Sequence, residues 1–164
     1  MNSIELYAEL ITINNEEDIT DDDIELIIDN CIISNNDQQL NMKVNIKESI
    51  KKISKKLKKK IKDVIILSLK LTKIILNYVI KTALITLLPP VVNQLSCIGV
   101  DVLISIISSI ITNKENKKTK DTIKQLTPDA IEAINKIVEQ SKKVIKEQND
   151  KLTEKINEII KTGS

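Results

Sequence analysis

The sequence contains no histidine, tryptophan, phenylalanine or arginine, so every basic residue is a lysine. Catalysis needs a group that titrates or attacks near neutral pH, and histidine is the commonest such group. Ser49 and Lys52 have a Ser-x-x-Lys spacing, but in so lysine-dense a stretch this spacing is expected by chance. The composition therefore predicts a protein that is not an enzyme and holds no cofactor.

Cysteine is scarce as well, since Cys31 and Cys97 are the only two. A disulfide framework or a zinc site needs more cysteines at shorter spacings, so we expect both to be small buried side chains. Acidic residues recur between Asp18 and Asp29, but this segment lacks the glycine and the final glutamate of a calcium-binding loop. We therefore predict no metal site.

The charges are divided along the chain. Residues 1–42 hold eleven Asp and Glu and no Lys, whereas residues 43–62 hold ten Lys and a single acid, Glu48. Such a lysine block binds polyanions, but without arginine, and with two tyrosines as the only aromatics, specific nucleic-acid recognition is not expected. An anionic membrane suits the block better. The lysines expected to contact it are Lys51, Lys52, Lys55, Lys56, Lys58, Lys59, Lys60 and Lys62.

Two short amphipathic helices are predicted within residues 1–33. The first places Leu6, Leu10 and Ile13 on one face, and the second places Ile24, Ile27, Ile28 and Cys31 at helical spacing. Thr20 is suited to cap the second helix, because acidic residues fill its first turn. An alternating strand pattern over residues 11–13 and 31–34 is too short to compete with the helical one. A polar linker, Asn35 to Asn41, follows.

A long helix is predicted from Met42 to Leu88, where the sequence has no glycine or proline. Its first half carries one apolar stripe with the lysine block on the flanks, and its second half is mostly apolar. A narrow polar line runs along that second half through Lys70, Lys73, Asn77 and Lys81. Pro89 and Pro90 then end the helix, because proline restricts the preceding residue and cannot donate a backbone hydrogen bond.

The return segment, Val91 to Thr112, has its own polar line through Gln94, Asp101, Ser105, Ser108 and Thr112. If the two arms fold back antiparallel about the prolines, Asp101 comes close to Lys81 and Asn77. We therefore predict a helical hairpin with a buried or half-buried contact between Lys81 and Asp101.

The last predicted helix begins at Pro128, with Thr127 as its cap and Asp129 in its first turn, and ends near Lys161. Residues 113–120 before it are predicted to be a charged linker or a frayed helix end. The inward positions of the last helix are expected to be Ile131, Ile134, Val138, Ile145, Leu152, Ile156 and Ile159. Its heptad pattern weakens at Ser141 and Gln148, which favours packing on the hairpin over a long coiled coil.

Together these patterns predict an all-α helical bundle built on a long hydrophobic hairpin. The expected parts are an acidic helical segment (1–41), a basic-to-hydrophobic hairpin (42–112), and a linker with the C-terminal amphipathic helix (113–164), in one compact domain. The plan is similar to that of pore-forming helical toxins, with no matching motif. The acidic N-terminus lacks the features of a cleavable signal peptide, so we expect an intracellular or membrane-associated protein.

Two functions remain open from the sequence. The first is binding to, or conditional insertion into, anionic membranes through the lysine-rich helix and the hairpin, with the acidic segment covering the basic helix until it is needed. The second is a soluble self-assembling or protein-interaction module that pairs with another copy or with a helical partner.

Overall fold

The computed structural model describes residues 3–13, 18–35 and 55–162, and it confirms the all-α class. Seven helices and no strand are found in these ranges. They are α1 (Ser3–Ile11), α2 (Asp21–Asn35), α3 (Lys55–Ile85), α4 (Pro89–Ile98), α5 (Val100–Thr112), α6 (Lys117–Lys124) and α7 (Pro128–Thr162).

The helix starts follow the predicted capping residues. At the start of α2, the Asp23 backbone N–H donates to the Thr20 hydroxyl (3.1 Å) and the Thr20 backbone N–H donates to the Asp23 carboxylate (3.0 Å). This reciprocal pair satisfies two amides that the helix leaves without partners. At the start of α7, the Ala130 backbone N–H donates to the Thr127 hydroxyl (3.3 Å). Both caps are confirmed.

The core is one cluster of buried apolar side chains to which every helix except α6 contributes. The two longest helices, α3 and α7, make the most extensive contact of the bundle. Helix α1 packs mainly on α5 and also touches α7 and α3, while α2 packs mainly on α7. Of the predicted inward residues of α7, Ile134, Val138, Ile145, Leu152 and Ile156 are buried, and Ile131 and Ile159 are half-buried.

The return segment is not one straight arm. Gly99, with φ of +90°, separates α4 from α5, and the two helices are bent by 92° at this point. A side chain would be strained at that backbone angle, so the only glycine in the hydrophobic span is where the chain turns. The principal partner of α3 is consequently α7 rather than the return segment.

This bend changes the register that a straight hairpin would have. No ion pair joins Lys81 to Asp101 in the described part of the chain; instead Asp101 acts electrostatically on Lys73, more than two turns earlier in α3. The predicted contact between Lys81 and Asp101 is therefore not found, and the lysine of α3 that shares a cleft with Asp101 is Lys73.

Two smaller expectations also change. Residues 113–120 are not only a linker, because α6 begins at Lys117, where the Thr119 backbone N–H donates to the Asn116 side-chain oxygen (2.7 Å). Cys97 is exposed rather than buried. The linker 36–41, the first part of the long predicted helix (42–54) and the side chain of Cys31 lie outside the described residues.

Candidate association surface

The lysine block continues into the first two turns of α3. Within these turns Ile61 is buried and Leu57 is half-buried, which turns most of the lysines outward. The lysines at positions 55, 56, 58, 59 and 60 are exposed and Lys62 is half-buried, while Lys51 and Lys52 lie outside the described residues. Over its whole length α3 carries nine lysines and one acid, Asp63. It is therefore a strongly cationic helix.

Ion pairs join the acidic N-terminal helices to Lys58 of α3 and to Lys114, which follows α5. Lys58 of α3 pairs with Glu25 of α2 at 3.9 Å, and Lys114 pairs with Glu9 of α1 at 3.9 Å. All four side chains are 45–62% exposed, and such surface pairs contribute only about 0–1 kcal/mol each. These pairs by themselves are too weak to hold an electrostatic cover over the basic helix.

Helix α1 is part of the core, which makes it unsuited to be a removable cover over the basic helix. Five of its apolar side chains are at most 6% exposed: Leu6, Tyr7, Ala8, Leu10 and Ile11. Burying one large apolar side chain contributes about 1.5–3 kcal/mol, so removing α1 would cost a large part of the total stability. Deletion of the acidic segment would therefore destabilise the whole bundle and would not simply expose the lysines of α3.

The outer face of α3 carries a row of large apolar side chains, here called the α3 stripe. Its members on the helix are Leu67, Leu71, Ile74, Tyr78 and Ile85, followed in the turn by Leu88, and they are 49–84% exposed. The steps between the five helical members are four, three, four and seven residues, which keeps them on one face. At 1.5 Å per residue the five span about 27 Å.

The lysines of α3 border the stripe. Lys70 and Lys81 are exposed and lie along one edge of it, and the lysine-rich turns lie at its N-terminal end. The opposite face of α3 is buried in the core through Ile61, Ile65, Leu69, Thr72, Leu76 and Ile80. A helix that is apolar on two faces is typical of one that is covered on both sides. In the described structure the outer face of α3 is left open.

A polar cluster lies beside the stripe, in a cleft of about 320 Å³ between α3, α5 and the end of α1. It unites four members of the two polar lines that the sequence suggested, namely Lys73, Asn77, Asp101 and Ser105. Lys70 and Lys81, the other two lysines of the α3 line, are exposed outside it. The helical spacing therefore did not indicate which residues of the two polar lines meet.

Lys73 has a structural role in this cluster. Its ammonium donates to the Ile13 backbone carbonyl (2.6 Å), just after the end of α1, where a helix leaves carbonyl groups without partners. Burial lowers the pKa of Lys73 below its ordinary value of 10.5, and the nearby Asp101 carboxylate partly opposes this shift. The ammonium therefore binds an internal acceptor and fixes the end of α1 to α3.

Tyr7 is a second anchor of α1, and no sequence pattern pointed to it. Its hydroxyl lies 2.6 Å from the hydroxyls of both Ser68 and Thr72, and burial raises its pKa above 10.0. Thr72 uses its own proton to donate to the Ser68 carbonyl (2.8 Å), so Tyr7 donates to Thr72 and accepts from Ser68. In α5, the Ser108 hydroxyl donates to the Ala8 carbonyl (2.7 Å).

Nowhere in ranges 3–13, 18–35 and 55–162 do three His, Cys, Asp or Glu side chains come together as metal ligands would. Ser49 and Lys52 lie outside these ranges. The acidic residues at 21–23 form the first turn of α2 instead of a loop.

Across the same described ranges, no single helix combines the length and apolar character needed to cross a membrane. The bent pair α4 and α5 meets the criterion by length and composition when its two helices are taken together. Comparison of the chain with known protein families, with curated proteins and with solved structures gives no match in any of the three. The feature of the described structure that indicates a function is therefore the outer face of α3.

Proposed function

We propose that this protein is not an enzyme and acts by association, with the outer face of α3 docking on an anionic membrane surface. The observation that supports this is the continuity, on one helix, of the lysine-rich first turns with the exposed α3 stripe. A helix with one apolar face bordered by lysines binds in the plane of the interface, with the apolar side chains below the headgroups and the ammonium groups among them.

The charges set how strong and how salt-sensitive the binding is. Each lysine near an anionic membrane contributes about 1 kcal/mol, so the four exposed lysines of the first turns other than Lys58, which pairs with Glu25, contribute at most about 4 kcal/mol at low salt. Physiological salt screens charges beyond about 8 Å, which weakens this contribution. The stripe adds an apolar contribution that depends little on salt.

Docking in the plane of the membrane fits better than permanent insertion of α3 across it. Lys70, Lys73 and Lys81 would each cost about 2.5–3.5 kcal/mol at the bilayer centre. At the interface Lys70 and Lys81 keep their ammonium groups in water, and Lys73 keeps its bond to the Ile13 carbonyl. The membrane-bound protein therefore retains the bundle described here.

Co-sedimentation with neutral and anionic liposomes at two salt concentrations tests this proposal. Neutralising three exposed lysines of α3, in the variant K55Q/K56Q/K59Q, should weaken binding to anionic vesicles by up to about 100-fold, because about 3 kcal/mol is lost. The matched control is K143Q/K146Q/K155Q, which removes three exposed lysines of α7. Equal losses in the two variants would show that α3 is not the contact. Equal binding of the wild type to neutral and to anionic vesicles would contradict the proposed role of the lysines.

The competing candidate is a soluble self-assembling or protein-interaction module. The repeat of four and three residues along the α3 stripe favours it, because helix pairs are joined through such a repeat. A discrete oligomer in plain buffer that ignores anionic vesicles would select this candidate over the first.

A further inference from the structure

The α3 stripe has the spacing of a coiled-coil seam. Leu67, Leu71, Ile74 and Tyr78 occupy alternating d and a positions of a heptad, and Ile85 follows one heptad after Tyr78. Lys81, at the intervening d position, lies toward the edge of this seam on which Asp63 also lies. These side chains are exposed on an otherwise well-packed helix. A face about 27 Å long and about 10 Å wide approaches the size of the largest apolar patch on an ordinary monomer.

We propose that a second copy of this chain covers the stripe in solution, with the two α3 helices antiparallel about a two-fold axis. The face is self-complementary in this arrangement, as a two-fold interface must be. Leu71 packs against Ile74 of the second copy, and Leu67 against Tyr78 of the second copy. By symmetry each contact occurs twice.

The charges of α3 select the antiparallel direction. In a parallel pair the lysine-rich first turns of both copies would lie side by side and repel. In the antiparallel register Lys58 lies about 44 Å from Lys58 of the second copy, far beyond the screening length of about 8 Å. The repulsion between the two cationic turns is then negligible.

The same register places the one acid of α3 beside a lysine. Asp63 and Lys81 lie on the same edge of the stripe, and pairing Leu71 with Ile74 brings Asp63 level with Lys81 of the second copy. Both side chains are exposed in the single chain and therefore accessible. In the same register the Lys70 residues of the two copies come within about 7.5 Å along the helix axis, which opposes pairing once, whereas the attraction between Asp63 and Lys81 occurs twice. Asp63 thus provides the charge complementarity that favours this register.

The area of the face makes this a reversible dimer. Two copies of a patch of about 270 Å² cover about 540 Å² together, less than the roughly 1,200–2,000 Å² of a stable interface, so the dimer is weak and forms only at high protein concentration. The second copy and a lipid surface would contact the same side chains of the α3 stripe. Dimerisation therefore competes with membrane docking, and the dimer is the form of the protein that is not bound to a membrane. The pairing itself depends on the α3 stripe and does not require the membrane proposal.

Sedimentation equilibrium in detergent-free buffer, from about 10 µM to about 1 mM, tests the dimer. The wild-type mass should rise with concentration from 18.5 kDa toward twice that value. D63K and K81D should each weaken dimerisation roughly tenfold, because two attractive pairs become repulsive. The double variant D63K/K81D should restore wild-type dimerisation, and D150K, an exposed change on α7, should have no effect.

The outcomes separate this inference from the membrane proposal. A monomeric wild type at every concentration overturns the dimer, and a dimer that both single variants leave unchanged overturns the register. The double variant keeps the net charge of the chain, so its binding to anionic vesicles should equal that of the wild type. If the wild type does not bind anionic vesicles, the membrane proposal is contradicted. The dimer, which is tested by the mass in buffer, is not affected by that result.

Discussion

Tyr7→Phe removes one oxygen atom from the best-buried anchor of α1. The ring stays and its packing is unchanged, but the Thr72 hydroxyl loses the bond it accepts and the Ser68 hydroxyl loses its acceptor. Thr72 remains bonded to the Ser68 carbonyl, so only part of the network is left without partners. We expect a loss of about 1–2 kcal/mol of unfolding free energy, the usual net value for one or two buried hydrogen bonds.

Thermal and urea unfolding followed by circular dichroism measure this loss. For a chain of this length the melting temperature should fall by about 3–6 °C at pH 7. Tyr78→Phe is the matched control, because Tyr78 is the only other tyrosine and is 73% exposed. The control should unfold within about 0.5 kcal/mol of the wild type.

The pH dependence of the stability difference between wild type and Tyr7→Phe is a stricter test. Burial raises the folded-state pKa of Tyr7 above 10.0, so above pH 10 the phenol ionises in the unfolded chain while the buried one stays neutral. The stability that this neutral phenol contributes is complete below pH 10 and is lost as the pH rises through the folded-state pKa. The difference between wild type and Tyr7→Phe should therefore narrow above pH 10. A variant as stable as the wild type at pH 7, or a difference that stays constant to pH 11, would refute this account of the anchor.

Two further substitutions test the elements that the fold depends on. Lys73→Met should lower stability by about 1 kcal/mol in urea unfolding, because the Ile13 carbonyl loses its donor, whereas Lys70→Met, in an exposed lysine, should cost less. Since the folded-state pKa of Lys73 lies below 10.5, the wild type but not Lys73→Met should gain stability as the pH rises through that lowered pKa toward 10.5. Gly99→Ala should cost about 1–3 kcal/mol, because φ is +90° there, although a Cβ atom would meet no neighbour within 4 Å. A Gly99→Ala protein with the wild-type urea midpoint would show that α4 and α5 do not require this bend.

Local signals predicted the elements well. Thr127, Pro128 and Asp129 placed the start of α7, Thr20 placed the start of α2, and the two prolines marked the turn after α3. Each of these depends on the chemistry of three or four neighbouring residues, which the sequence shows directly. The all-α class followed from the same local patterns.

The arrangement of the helices was harder to predict. The bend at Gly99 depends on a positive φ that glycine permits but does not demand, and Asp101 lies in one cleft with Lys73 rather than with Lys81. Helical spacing predicted that Lys73, Asn77, Asp101 and Ser105 share polar faces, but not which of them meet. The anchor at Tyr7 joins residues more than sixty positions apart, and no local pattern indicates a contact at that distance.

The exposure of the α3 stripe could not be predicted from the sequence either. The sequence predicted an apolar helix with one polar line, and an apolar residue in such a helix is expected to be buried. Which apolar face remains open depends on where α7 and α1 dock. Once these helices take one face of α3, the stripe is left exposed, and this makes it a candidate surface.

The chain has no tryptophan, so Ile74→Trp places a single fluorescent reporter at the centre of the α3 stripe. A Lys143→Trp control carries the reporter on the exposed face of α7. At low salt and at a concentration well below that of dimerisation, anionic vesicles should shift the emission of Ile74→Trp to shorter wavelength and leave that of the control unchanged. Emission from Ile74→Trp that is the same with and without anionic vesicles would contradict the proposal that the outer face of α3 docks on a membrane.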